Sequence, residues 1–235
     1  MIVGRRDPRQ ARFLTSASLR WVVRQRAWTP YYLKRYWRFA IFKLRHPRVV
    51  TQGFVFLGKH IEIEVAEGYA QLVLGKWVHI GDGNKLRVHN GSIRIGDKTV
   101  LGSENVINAH LDIEIGPATL VSDWVYICDF DHVMRELDRP IKDQGLLCSP
   151  VRIGGGCWIG TKVTVLRGTT VGDGSVLAAH TVARGLVPAG SVVGGAPCRV
   201  LKNRGDIYND PAQVERRRYL AMTAVEQKDV IDGEL

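Results

Sequence analysis

The chain has 235 residues, 25 of them glycine and four cysteine, and a formal net charge of +10. That length is enough for one sizeable core plus an extension. No run approaches the roughly eighteen uninterrupted apolar residues of a membrane span, and the Arg-rich first thirty residues lack the apolar stretch of a secretory signal. The cysteines, Cys128, Cys148, Cys157 and Cys198, form no Cys-x-x-Cys pair, so no disulfide framework is implied and a reducing cytoplasm is the simplest expectation.

The charge is segregated. Residues 1–48 hold 13 Lys/Arg and one acid, giving +12, while the rest hold 20 Lys/Arg and 22 acids, giving −2. In this basic extension Ser16 or Ser18 is placed to cap a helix through about Trp28. Thr29-Pro30 then opens a second helix, with a capping residue followed by proline at the first helical position. Leu33, Trp37, Ile41 and Leu44, joined by Tyr36 and Ala40, fall at helical spacing among Lys34, Arg35, Arg38 and Arg45. His46-Pro47 ends the helix.

Residues 49–203 are periodic, and the period is six. Ile153, Ile159, Val165, Val171, Leu177, Ala183 and Ala189 follow at every sixth place. Small or β-branched residues stand four places later, from Cys157 to Val193. Upstream, Leu74-Gly75, Ile80-Gly81, Ile95-Gly96, Leu101-Gly102, Ile115-Gly116 and Val121-Ser122 keep the rhythm in shorter runs, with slips near 86–95 and 107–115. A period of six fits a coil of three flat sides stacked into a prism, its aliphatic residues inward and its glycines at the turns. Six to eight coils are expected. The repeat vanishes after Ile127-Cys128-Asp129-Phe130-Asp131-His132 and resumes at Val151. This leaves an excursion of about 133–150, and a long departure from an economical solenoid points to function. Residues 204–235 read as a polar tail, helical in part.

The ordered set Pro150-Val151-Arg152-Ile153-Gly154, Trp158-Ile159-Gly160, Gly168, Val171-Gly172-Asp173-Gly174, Pro188 and Gly195-Ala196-Pro197-Cys198-Arg199-Val200 resembles the C-terminal signature of hexapeptide-repeat O-acetyltransferases. The similar groups are the maltose and galactoside acetyltransferases and the sugar O-acetyltransferases of polysaccharide pathways. The resemblance covers about residues 74–202. It implies an all-β core in the form of a left-handed parallel β-helix, acetyl-CoA as donor, a sugar, glycan or glycolipid acceptor, no metal, and a homotrimer with its sites between subunits.

By position in the resemblance, His132 is the catalytic base. A neutral imidazole can take the proton of an attacking hydroxyl, which is otherwise a poor nucleophile. Asp131 is a candidate to orient it, as a carboxylate does in hydrolase triads, and Asp129 a candidate acceptor contact. A family asparagine near the acceptor falls on Gly102, leaving Glu104 or Asn105 as substitutes. Trp158, Thr161, Ala179, Arg184 and Gly185 match CoA contacts, and Arg199 and Lys202 match residues that meet the CoA phosphates. Cys157 takes the repeat's small core position. The remaining histidines, His46, His60, His79, His89, His110 and His180, are scattered and suggest no zinc set.

Three readings of residues 1–48 stay open: a cap on the prism, a peripheral contact with an anionic membrane, and, ranked lowest, an anionic polymer, with no nucleic acid expected. The function readings that compete are transfer to an amine, transfer of a longer acyl chain, and a β-helix scaffold without chemistry.

Overall fold

The computed structural model describes residues 7–11 and 15–209. Residues 49–203 wind into a three-sided parallel β-helix. The first sheet stacks, in order, Val50–Thr51, Gln71–Leu74, Ser92–Ile95, Asp112–Ile115, Val151–Ile153, Thr170–Val171 and Leu186–Val187. The second stacks Phe56–Leu57, His79–Ile80, Val100–Leu101, Leu120–Val121, Trp158–Ile159, Val176–Leu177 and Ser191–Gly194, and is closed by the antiparallel strand Arg199–Asn203. The third stacks Glu62–Val65, Lys85–Val88, Val106–Ala109, Tyr126–Cys128, Thr164–Val165 and Val182–Ala183. The chain visits the sheets in rotation, so each strand pairs with the strand one coil away.

The strands are short because the corners come often. Every corner after the first sheet except the first, that after Val50–Thr51, carries a left-handed residue: Trp77, Lys98, Ala118, Gly156, Gly174 and Gly190. Each corner after the second does the same, at His60, Gly83, Glu104, Trp124, Lys162 and His180. A non-glycine residue there costs about 1–2 kcal/mol. The cost is offset because the corner amides donate to the preceding coil, as Glu104 N–H does to the Asp82 carbonyl at 2.9 Å and Lys162 N–H to the Asp123 carbonyl at 3.0 Å. Aspartates fasten the same corners: Asp82, Asp97, Asp123 and Asp173 accept from the N–H of Lys59, Lys76, Ser103 and Gly155.

Inside the prism, columns such as Leu101–Val121–Ile159–Leu177 and Leu86–Ile107–Ile127–Val165 are fully enclosed. Threonines line the corner layer, where Thr99 and Thr119 hydroxyls donate to the Gly116 and Gly154 carbonyls at 2.8 Å. Cys157 is buried in that layer as expected. The phase slips have a simple cause: the third- and first-sheet strands of the early coils are four residues long, so Leu74, Ile95 and Ile115 are spaced beyond three hexapeptides. The end of the repeat departs from expectation. Val187, not Ala189, pairs with Val171 and is buried, because the last coil is shortened at Gly185.

The extension forms α1 (Ser16–Arg24) and α2 (Pro30–Arg45). The Thr15 hydroxyl, not that of Ser16 or Ser18, accepts the Ser18 N–H at 3.1 Å and starts α1. Thr29 and Pro30 start α2, and it stops before His46. Phe39 and Phe42 of α2 enter the prism core, with Phe39 packed 4.9 Å from the Phe54 ring. The helix therefore covers the first coil. A third helix, α3 (Arg204–Asn209), begins the tail. The remainder of the expected helical tail, 210–235, lies outside the described residues.

Gly91 and Gly190 both hold φ of +66°, but a Cβ on Gly91 would stand 1.7 Å from the Leu111 carbonyl, whereas Gly190 faces open space. Gly190→Ala should cost about 1 kcal/mol and Gly91→Ala more than about 2 kcal/mol in urea unfolding. Equal costs would mean the 91 and 111 corners are not closely stacked.

Candidate active site

The excursion leaves the prism at the edge between the third and first sheets. It opens with an antiparallel hairpin in which Phe130, Asp131 and His132 pair with Cys148, Leu147 and Leu146. Gln144 ties the outer loop, donating to the Glu136 and Arg139 carbonyls at 2.7 and 2.8 Å and accepting the Glu136 N–H at 3.0 Å. His132 is exposed, and no hydrogen bond holds its imidazole among the described residues. It thus stands free on a tied scaffold, where a general base must stand to reach a substrate.

Asp131 does not orient it. Successive side chains of a strand point to opposite faces, and the Asp131 carboxylate is held by Arg167, whose Nε donates to it at 2.6 Å. Arg167 also donates to the Ser149 hydroxyl at 3.3 Å. Together these fasten both legs of the hairpin to the next coil.

Asp129 is not an acceptor contact. It is 0 % exposed, and its carboxylate accepts the N–H groups of His110, Leu111 and Asp112 at 2.8, 2.8 and 2.6 Å. It replaces a missing turn of backbone pairing where the excursion departs. Asn105 is also buried, its Oδ1 accepting the Val125 N–H at 2.7 Å, so it too is a corner fastener. Glu104 is exposed, but it sits at the corner between the second and third sheets, one sheet's width from His132.

The stacking brings together residues that look scattered in sequence. His89, His110 and Phe130 follow one another on successive coils: the imidazoles stack at 4.5 Å with planes 17° apart, and the Phe130 ring meets His110 edge-on at 4.5 Å. Burial lowers the His110 pKa from its ordinary value, and nearby His89 and His132 add to this while Asp129 opposes it. Both histidines follow a third-sheet strand at the same place in the coil, which is the sequence signal that could have found them. Asn108 was missed likewise. It lies on the outward row between Arg87 and Cys128, its Oδ1 buried without a hydrogen-bond partner. Burial raises the thiols of Cys128 and Cys148 above their ordinary range, which argues against either as a nucleophile.

The CoA candidates divide into two groups. Trp158 stands on the outward row of the second sheet, its Nε1 donating to the Ser122 hydroxyl at 3.1 Å. Val176, Val192 and Lys202 continue that row. Thr161 and Ala179 sit at the corner beside it, and Arg199 is exposed on the closing strand. Arg184 and Gly185 are at the other edge of the third sheet, the edge that carries His132. Within one chain the two groups do not meet. Among the described residues no group of three His, Cys, Asp or Glu side chains is placed to hold a metal ion.

Residues 150–185 match the family model for the bacterial transferase hexapeptide (six repeats). A protein of Mycobacterium tuberculosis described as a probable acetyltransferase is 56% identical over 223 residues, which are 95% of this chain and 74% of that relative. The galactoside O-acetyltransferase of Escherichia coli is 28% identical over 118 residues, 50% of this chain and 57% of the relative. Among solved structures, the N-acyltransferase AntD of Bacillus cereus, in complex with dTDP and 3-hydroxybutyryl-CoA, superposes with a TM-score of 0.59 at 17% identity, over 78% of this chain and 96% of that one. That likeness is one of fold.

Asp129→Ala should destabilise the fold by about 3 kcal/mol, since it removes a buried carboxylate that holds three part-buried N–H groups, while His132→Ala should change stability by less than about 0.5 kcal/mol. Denaturant midpoints of the two variants check this. A depressed imidazole pKa means the unfolded chain binds a proton first, so stability falls as pH drops below about 6.5. His110→Gln should flatten the decline in melting temperature between pH 7 and 5, and an unchanged slope would place the titration elsewhere.

Proposed function

Because this chain belongs to the hexapeptide-repeat acetyltransferase family, we propose that it transfers an acetyl group from acetyl-CoA to a sugar hydroxyl, with His132 as general base. The observation that carries the reading is the exposed, unbonded His132 at the one place where the solenoid is interrupted. The acetylation of galactosides by the E. coli relative supports a sugar acceptor.

The described residues fit the donor. The outward row Val100, Leu120, Trp158 and Val176 is apolar and flat, suited to an extended pantetheine chain, and it runs to Lys202 with Arg199 near, suited to phosphates. Acetyl-CoA brings the thioester. His132 takes the acceptor's hydroxyl proton while the oxygen bonds to the acetyl carbon. The thiolate then leaves and takes up a proton. Asp131 and Arg167 hold the strand that carries His132, and the buried Asp129 holds its root.

The division of the candidates over two edges is the argument for a homotrimer. If the His132 edge of one subunit faces the Trp158 row of the next, each cleft is completed by two chains. No step of the proposal uses a metal.

His132→Ala should lower kcat by about 10²–10⁴-fold while CoA affinity stays within twofold, read by acetyl transfer to a sugar panel and by titration calorimetry. Equal turnover would remove His132 as the base. Transfer only to amino sugars, or only from longer acyl-CoA donors, would select the competing acyltransferase readings. CoA binding without turnover would select the scaffold. Co-refolding His132→Ala with Trp158→Ala/Lys202→Glu, each inactive alone, should restore about a quarter of wild-type activity if each site draws on two chains, and none if each chain holds a whole site.

A further inference from the structure

Helix α2 has two apolar faces. One is spent on the prism through Phe39 and Phe42. The other is turned outward. Leu33, Trp37 and Leu44 lie within about 40° of one helical line, and they are 56 %, 69 % and 82 % exposed. Leu19 and Val23 form a similar exposed pair at i, i+4 on α1, and Trp28 is exposed between the helices. Of the apolar stripe predicted in α2, only Ile41 and Tyr36 are drawn part-way into the structure.

The charge around this surface has one sign. Residues 15–48 carry nine Lys/Arg and no Asp or Glu. Among the described residues no carboxylate pairs with Arg20, Arg24, Arg26, Lys34, Arg35 or Arg45, and the guanidinium of Arg35 lies 3.4 Å over the Tyr31 ring. Aromatic and aliphatic groups set among unpaired cations are the composition of a helix that lies in a membrane interface, its apolar groups at the acyl boundary and its cations over anionic headgroups. No described helix is long and apolar enough to cross a membrane, so the contact would be in the plane of the surface. A protein partner would have to supply a purely acidic rim around an apolar groove, a narrower requirement than a bilayer makes.

We propose that the outward face of α2, with the exposed residues of α1, docks the protein on an anionic lipid bilayer. The opposite face of α2 is fixed to the first coil, so docking sets the prism on the membrane rather than tethering it by a loose arm. This stands independently of the acceptor and of His132.

The test is co-sedimentation of the full chain with vesicles of phosphatidylcholine alone and of phosphatidylcholine with about one-third phosphatidylglycerol. Binding should require the anionic lipid and should fall as salt rises to about 0.5 M, where the screening length is only a few ångströms. Trp37→Ser/Leu44→Ser should weaken it at least tenfold, and Lys34→Glu/Arg45→Glu should weaken it likewise. All four positions are exposed, so the melting temperature should hold, and the charge pair keeps the test open if the apolar pair misfolds. Absence of binding to anionic vesicles overturns the proposal, as does equal binding to both vesicle types. A double variant that alters the assembly's size in light scattering but not vesicle binding would assign the face to contacts between copies, and would also overturn it.

Discussion

Every other feature of this molecule depends on backbone pairing between successive coils. Each short strand donates to the carbonyls one coil away, and the corners do the same through residues held at positive φ. This is demanding, since eight corner positions hold a left-handed conformation without being glycine. It is sustained because a corner cannot relax without breaking the pairing of both neighbouring coils. The aspartate side chains and the buried Asn105, Thr99 and Thr119 serve the same end, supplying hydrogen bonds where the turning backbone cannot.

That scaffold explains how a single exposed histidine can be placed well without a hydrogen bond of its own. The excursion that carries it is fastened at its root by Asp129, which gathers three amides of the preceding coil, and along its legs by Arg167, which holds Asp131 and Ser149. The acids around His132 therefore fix the strand and not the ring. The imidazole is left available on a fastened hairpin, near the stacked pair His89 and His110.

The N-terminal helices extend the same logic to the open end of the prism. A parallel solenoid exposes unpaired edges and apolar core at its ends. Phe39 and Phe42 cover the first coil, and the antiparallel strand Arg199–Asn203 pairs with the last one. Because α2 is amphipathic twice over, covering the core leaves a second apolar face outward, in the most basic part of the chain.

The sequence by itself determined the coil, because a six-residue period with inward aliphatics admits few other packings, and it marked His132 because the period stops there. It also placed α2 between Thr29-Pro30 and His46-Pro47, signals that are local and steric. The tertiary structure alone decided which polar residues are free. Asp129 and Asn105 read as acceptor contacts and Asp131 as a group to orient His132, yet stacking buries the first two and pairs the third with Arg167. His89 and His110 read as scattered, yet their rings stack on successive coils. The reason is physical: in a solenoid the neighbour of a side chain lies one coil away, and the coil's length varies with every lengthened strand and shortened corner. The register that creates each contact is fixed only when the coils are stacked.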